Sequence, residues 1–298
     1  IIAVLFALAL GTLIGCFNGM LTAYGGIPAF IVTLGGLIAY SGVAWALIRG
    51  ETVAPMDKTF KLLGGNGPLA SIGPFWSWAI AVAACALMVL GLLNGRRQRQ
   101  RVKFPQRPLW AEVFLGVCGS AAILGVTAIV NSYAWAPKVI ENYARDNGLT
   151  IPPGVENRTG DAICMAGEVV VRCDEGLVFY TGYAIPVLIA LAVGFAMSFI
   201  ARRTSFGRYV YATGGNPEAA ELSGINTRKL TVMVFALMGF LVAISAVVTS
   251  ARLDAATNSL GQLNELYVIA AVVIGGTSLA GGVGTIYGAM LGALLMQS

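Results

Sequence analysis

The stretch Gly214-Gly215-Asn216-Pro217-Glu218-Ala219-Ala220-Glu221-Leu222-Ser223-Gly224-Ile225-Asn226 is a short polar segment between two long apolar runs. Its residue order predicts a capped helix. Asn216 offers a side-chain acceptor to the free amides of a helix start. Pro217 suits the first helical position, where no backbone donor is needed. Glu218 falls in the first turn, near the positive end of the helix dipole. Gly224 can close the helix in a left-handed conformation. So short a helix is marginal in water, and something outside it must hold it.

The flanking runs set the class. The chain has 298 residues, of which 57% are hydrophobic and 11% charged, and its mean hydropathy is +0.78. A soluble domain carries about 25% charged residues, so this is an integral membrane protein. It has no histidine, which excludes His-based catalysis and His metal sites, and its five cysteines lack metal-type spacing. The net charge of +5 lies in particular loops. It reads as membrane topology and not as nucleic-acid affinity.

A spanning helix needs about 20 apolar residues. Upstream of the quoted stretch, the sequence predicts spans over Ile1–Tyr24, Ala29–Ile48, Pro74–Leu93, Leu109–Ala136 and Leu177–Ala201. Downstream it predicts Leu230–Ala251, then two shorter apolar pieces, Leu266–Gly276 and Val283–Met296. Gly275-Gly276-Thr277-Ser278-Leu279-Ala280-Gly281-Gly282 separates the two pieces as one broken helix or two paired ones. Gly11, Gly15 and Gly19, and again Gly284, Gly288 and Gly292, have the small-xxx-small spacing that lets helices approach closely. The expected fold is an all-α polytopic bundle of at least six spans plus that last region. The sequence starts and stops inside apolar runs, so it reads as part of a longer chain, and the count is a minimum.

Charge assigns the loops. Arg96, Arg97, Arg99, Arg101, Lys103 and Arg107 include no acid, and the positive-inside rule places loop 96–107 in the cytoplasm. Arg202, Arg203 and Arg208 place 202–229 there too. Pro137–Gly176 alternates to the outside and holds seven acids against four bases. Within it Cys164 and Cys173 can pair in an oxidising compartment, or remain free, since spacing does not fix their geometry.

The helix centres hold essentially no ionisable group, whereas ion-coupled carriers usually place such groups inside the membrane. No phosphate loop of the form G-x-x-x-x-G-K-[ST] occurs, so the chain binds no ATP through one. No nucleophile–base constellation is present, which argues against an enzyme.

Glu218-Ala219-Ala220 followed after three residues by Gly224 resembles the Glu-Ala-Ala-x-x-x-Gly loop of bacterial ABC importer permeases. The whole quoted stretch is similar to that loop in the monosaccharide permeases for ribose and xylose. So are Ile27-Pro28-Ala29-Phe30-Ile31-Val32-Thr33-Leu34-Gly35, Thr204-Ser205-Phe206-Gly207-Arg208-Tyr209 and Ala270–Gly288. These stretches fall in the family's order over most of the chain, which looks most like the xylose permeases.

The resemblance implies a single permease domain over 1–298 in the bacterial inner membrane, importing a sugar such as D-xylose. It implies a second permease subunit, expected to be identical, and a periplasmic sugar-binding protein. A separate cytoplasmic ATPase would hold ATP and magnesium, leaving this chain no cofactor and no metal. Residues Asn216, Pro217, Glu218, Ala219, Ala220, Glu221 and Gly224 would form the ATPase-coupling helix, with the alanines leaving room for a cleft wall and the glutamates facing a basic rim. The segment 137–176 is longer than the family's usual connection. It is read as a tolerated periplasmic insertion, with contact to the binding protein as the alternative. For the pathway, Asn18, Phe30, Thr33, Asn131, Thr277 and Ser278 supply polar or aromatic groups suited to a sugar. Each also suits a helix–helix hydrogen bond. A secondary sugar transporter or facilitator working without an ATPase is the competing function, and a membrane scaffold that recruits a partner without transport is a third.

Overall fold

The structure is a computed structural model that describes residues 2–65, 70–101, 108–132 and 182–297. Among these residues the secondary structure is helical, with two isolated antiparallel bridges and no strand. Six helices among the described residues are long and apolar enough to cross a membrane. The chain divides into two compact units, one of 1–64 with 188–298 and the other of 65–187.

The first unit opens with α1 (Ile2–Ala23) and α2 (Ala29–Ile48). Gly26, at φ +66°, and Pro28 supply the turn between them. A short helix α3 (Lys58–Lys61) and one 3-10 turn (Leu62–Gly64) follow α2. In the second unit α4 runs over Gly73–Arg101 and α5 over Leu109–Ser132. Helix α6 (Ile185–Arg203) holds the boundary between the units. The first unit then resumes with α7 (Ser205–Gly215), α8 (Pro217–Leu222), α9 (Thr227–Leu253), α10 (Asn264–Ile274) and α11 (Ile286–Gln297).

The first unit is built on α1 packed antiparallel along α9. Gly11, Gly15 and Gly19 face Gly239 with Ala243, Phe235 with Ala236, and Val232 in turn. A Cβ at Gly11 would lie 2.7 Å from the Ala243 Cβ, and one at Gly19 2.9 Å from the Val232 Cα. Lipid tails are as apolar as leucine, so this close contact comes from van der Waals packing made possible by the missing side chains. At the far end of α9, Asp254 caps the helix in a left-handed conformation (φ 55°). Its carboxylate accepts from the Met56 amide at 2.8 Å and pairs with Lys61 at 2.7 Å. Val53 and Ala256 add an antiparallel bridge. The 51–64 loop is therefore fastened to the end of α9.

The C-terminal region resolves into a pair. Helix α10 has 11 residues and α11 has 12, each about half the length that crosses a hydrocarbon core. They pack antiparallel, with Gly275 against Gly288 and Ala271 against Gly292, so two short helices form a hairpin. Its tip, 275–285, turns through Gly276, Gly281 and Gly282, all at positive φ.

In the second unit α4 packs on α5, and Arg96 pairs with Glu112 at 3.3 Å. Ser77 and Thr127 are fully buried. Ser77 Oγ donates to the Gly73 carbonyl at 2.8 Å and accepts from the Tyr183 amide at 3.0 Å. Thr127 Oγ1 donates to the Ile123 carbonyl at 2.8 Å and lies 2.7 Å from the Tyr183 hydroxyl. The extended residues before α6 thus satisfy buried hydroxyls that are expensive to leave unpaired.

Two boundaries depart from the sequence expectation. Helix α4 continues through the first half of the basic run to Arg101, because Arg and Gln are good helix formers and the run has no early breaker. Helix α6 begins at Ile185, where Pro186 occupies the first turn, and not at Leu177. Residues 133–181, including Cys164, Cys173 and the 137–176 insertion, lie outside the described residues.

Candidate functional site

The quoted stretch forms α8, and both its ends are closed as its residues predict. Asn216 Oδ1 accepts from the Ala219 amide at 3.0 Å, and Pro217 takes the first helical position. At the other end Gly224 is left-handed (φ +85°). Its amide donates to the Glu221 carbonyl at 2.9 Å, and the Ile225 amide to the Ala220 carbonyl at 3.1 Å. This pair of bonds is a Schellman closure. Ser223 Oγ adds a bond to the Ala219 carbonyl at 2.8 Å. Asn226 then caps α9, accepting from the Lys229 amide at 2.9 Å.

Helix α8 has no slack at its entrance either. Asn216, its cap, donates its own amide to the Ala212 carbonyl of α7 at 3.1 Å. Helix α7 was visible in the sequence only as a motif. It starts on Thr204, whose hydroxyl donates to the Ile200 carbonyl at 2.6 Å and accepts from the Gly207 amide at 3.4 Å. The six residues of α8 are thus fixed between an 11-residue and a 27-residue helix.

The faces of α8 differ. Glu218, Ala219, Glu221 and Leu222 are exposed, Leu222 at 91%. Ala220 is buried at 4%, in a helix that touches both α7 and α9. The two alanines therefore part: Ala219 is exposed, and Ala220 is withdrawn from solvent. The apolar knob Leu222, passed over in the sequence, stands between the acids and the glycine turn.

The pathway candidates do not form one cluster of hydrogen bonds. Asn18 Oδ1 accepts from the Tyr40 hydroxyl at 2.8 Å, joining α1 to α2. Thr33 Oγ1 bonds back to the Ala29 and Phe30 carbonyls of its own helix at 3.0 and 3.1 Å. Phe30 is 74% exposed. Thr277 and Ser278 lie in the hairpin tip, where the Ser278 amide donates to the Val283 carbonyl at 2.9 Å and Ser278 Oγ accepts from Ala280 at 3.2 Å. Asn131 belongs to the second unit, one turn beyond Thr127. Both polar atoms of its amide are buried and unpartnered among the described residues, as is Thr213 Oγ1 in α7. Among the described residues no group of His, Cys, Asp and Glu could hold a metal.

Residues 106–298, more than half of the chain, match the family described as branched-chain amino acid transport system / permease component. The chain belongs to this permease family. The six long apolar helices and this membership make it a multi-pass membrane protein. Over 297 residues it is 34% identical to the xylose transport system permease protein XylH of Haemophilus influenzae, covering all of this chain and 66% of that relative. It is 35% identical over 297 residues to XylH of Escherichia coli, covering 63% of that relative. The ribose import permease protein RbsC of H. influenzae is 44% identical over 122 residues, 41% of this chain and 38% of that one. The permease thus spans slightly less than two thirds of the length of its xylose-permease relatives. No solved structure matches it.

Proposed function

We propose that this chain is the permease subunit of an ATP-driven importer that moves xylose or a related pentose across the bacterial inner membrane. It is a single permease domain acting beside a second copy of itself. A periplasmic binding protein delivers the sugar. A separate cytoplasmic ATPase, holding ATP and magnesium, docks on 202–229, while 137–176 is a periplasmic insertion. The observation that carries this reading is α8: a polar helix capped at both ends, fixed to long helices on both sides, with Glu218, Glu221 and a 91% exposed Leu222 facing outward.

That face suits a cleft in a protein partner. An exposed leucine beside carboxylates can enter an apolar pocket whose rim is basic. Closure of the ATPases would displace α8 as a rigid handle, since packed helices are bistable and do not deform continuously. For the cargo, the family's description names branched-chain amino acids, whereas the relatives that align with the whole chain are named for xylose. The longer alignment favours the sugar. The binding protein does most of the selecting, so the pathway candidates need hold no tight sugar site.

The experiment is uptake of labelled xylose into vesicles containing the permease, its ATPase and its binding protein, with leucine as the control cargo. Xylose uptake that requires hydrolysable ATP is expected. Replacing Leu222 with Asp, or Glu218 and Gly224 with Lys and Pro, is expected to abolish it while membrane insertion persists. Uptake that proceeds without ATP under an ion gradient would instead establish a secondary transporter. ATPase co-purification without any uptake would establish a scaffold.

A further inference from the structure

The arm that carries α8 is joined to the C-terminal hairpin by contacts between backbones. A Cβ at Gly214 would lie 2.7 Å from the Gly282 amide nitrogen. One at Gly282 would lie 2.9 Å from the Gly215 Cα, and Gly281 faces the Gly214 carbonyl. No side chain separates the two segments. Beside this contact the Tyr211 hydroxyl donates to the Gly284 carbonyl at 3.0 Å. Further along, the Arg202 guanidinium lies 5.3 Å from the centre of the Tyr287 ring. The seam ends at Gly215, and Asn216, the next residue, is the cap of α8.

Interfaces made of side chains shear easily, because rotamers can repack. Two backbones in direct contact have no such compliant layer, so displacement of one is passed to the other. The receiving element is itself stiff, since Gly275 meets Gly288 and Ala271 meets Gly292 between its legs. Its tip contains Thr277 and Ser278. We infer that the hairpin 264–297 is the element driven by α8, and that Gly214, Gly215, Gly281, Gly282 and Tyr211 position it through this seam. Motion at the docking helix would then reach the tip hydroxyls of Thr277 and Ser278 without passing along α9. The inference deepens the importer function proposed above and rests on it.

The test uses the full complex in vesicles, with ATP hydrolysis and sugar uptake measured together. Tyr211→Phe removes one hydrogen bond without adding bulk. It is expected to lower the sugar moved per ATP hydrolysed about threefold, the size of one such bond lost, while hydrolysis stays within about twofold. Gly214→Ala, which inserts a methyl group into the seam, is expected to abolish uptake while the ATPase still co-purifies. If Gly214→Ala prevents assembly, Tyr211→Phe alone decides. Full coupling in Tyr211→Phe, or a fall in hydrolysis equal to the fall in uptake, would overturn the inference. Absence of ATP-driven uptake by the unaltered complex would overturn the importer function itself, a separately recognisable result.

Discussion

Asn131, a proposed pathway residue, carries a stability cost of its own. Its amide is buried, with neither polar atom partnered among the described residues, and such a group costs about 1–3 kcal/mol. Replacing it with leucine, of similar volume, removes that cost. Asn131→Leu is therefore expected to raise the unfolding temperature of the detergent-solubilised protein. If the amide serves a passing sugar, the same change lowers uptake, and unchanged uptake would remove it from the pathway. Asp254 behaves differently, being tied outside the spans. Partial burial pushes its carboxyl up, but the Lys61 hydrogen bond, the Met56 amide and the Lys61 charge outweigh this, and the net direction is down from 3.8. A carboxyl depressed in the folded state stabilises above its unfolded value, and that contribution is lost as pH falls through the folded one. The advantage of the wild type over Asp254→Asn is thus expected to be complete at neutral pH and to vanish only in acid below pH 3.8. Because the pair is partly exposed, its size is at most about 1 kcal/mol, read from denaturation midpoints across pH.

At the scale of elements, the glycines of α1 carry the packing. A Cβ at Gly15 meets the Phe235 carbonyl and one at Gly11 the Ala243 Cβ, so α1 cannot move aside for one without disturbing the other. Gly15→Leu is expected to cost about 1–3 kcal/mol or more, seen as a lower melting temperature and earlier proteolysis. Gly35→Leu, with open space around the added carbon, is the matched control. The glycine spacing made this seam legible in the sequence, though not its partner helix, because periodicity marks a face and not what covers it. The caps of α8 were equally legible, since Asn216, Pro217 and Gly224 each act through backbone atoms nearby. Three things were hidden. The mixed polar and aromatic α7 has no run that separates it from a loop. The burial of Ala220 depends on tertiary packing. The hairpin could be told from one broken helix only by tertiary contacts such as Gly275 with Gly288.

For the whole molecule, the decisive quantity is which side each loop faces, because an importer with α8 outside could not meet an ATPase. The charge pattern supports the proposed cytoplasmic placement of 202–229. Arg202, Arg203, Arg208, Arg228 and Lys229 concentrate there, and short loops rich in Lys and Arg stay inside. Helices α6 and α9 flank the segment with 19 and 27 residues, each long enough to place its other end across about 30 Å of hydrocarbon. With α6 as the span between them, the proposal puts the acidic 137–176 segment on the opposite side. The arrangement can be checked by labelling single cysteines, in a background lacking the native ones, with a membrane-impermeant maleimide. Ser223→Cys, beside the Schellman turn and exposed, is expected to react only in inside-out vesicles, and Asn147→Cys only in intact spheroplasts. Reaction of both from one side would place an even number of crossings between them. Labelling of Ser223→Cys from outside would reverse the topology and leave α8 with no access to ATPase. Adding the ATPase to inside-out vesicles is further expected to slow the Ser223→Cys reaction, because docking on Glu218, Glu221 and Leu222 covers the next turn of the same helix.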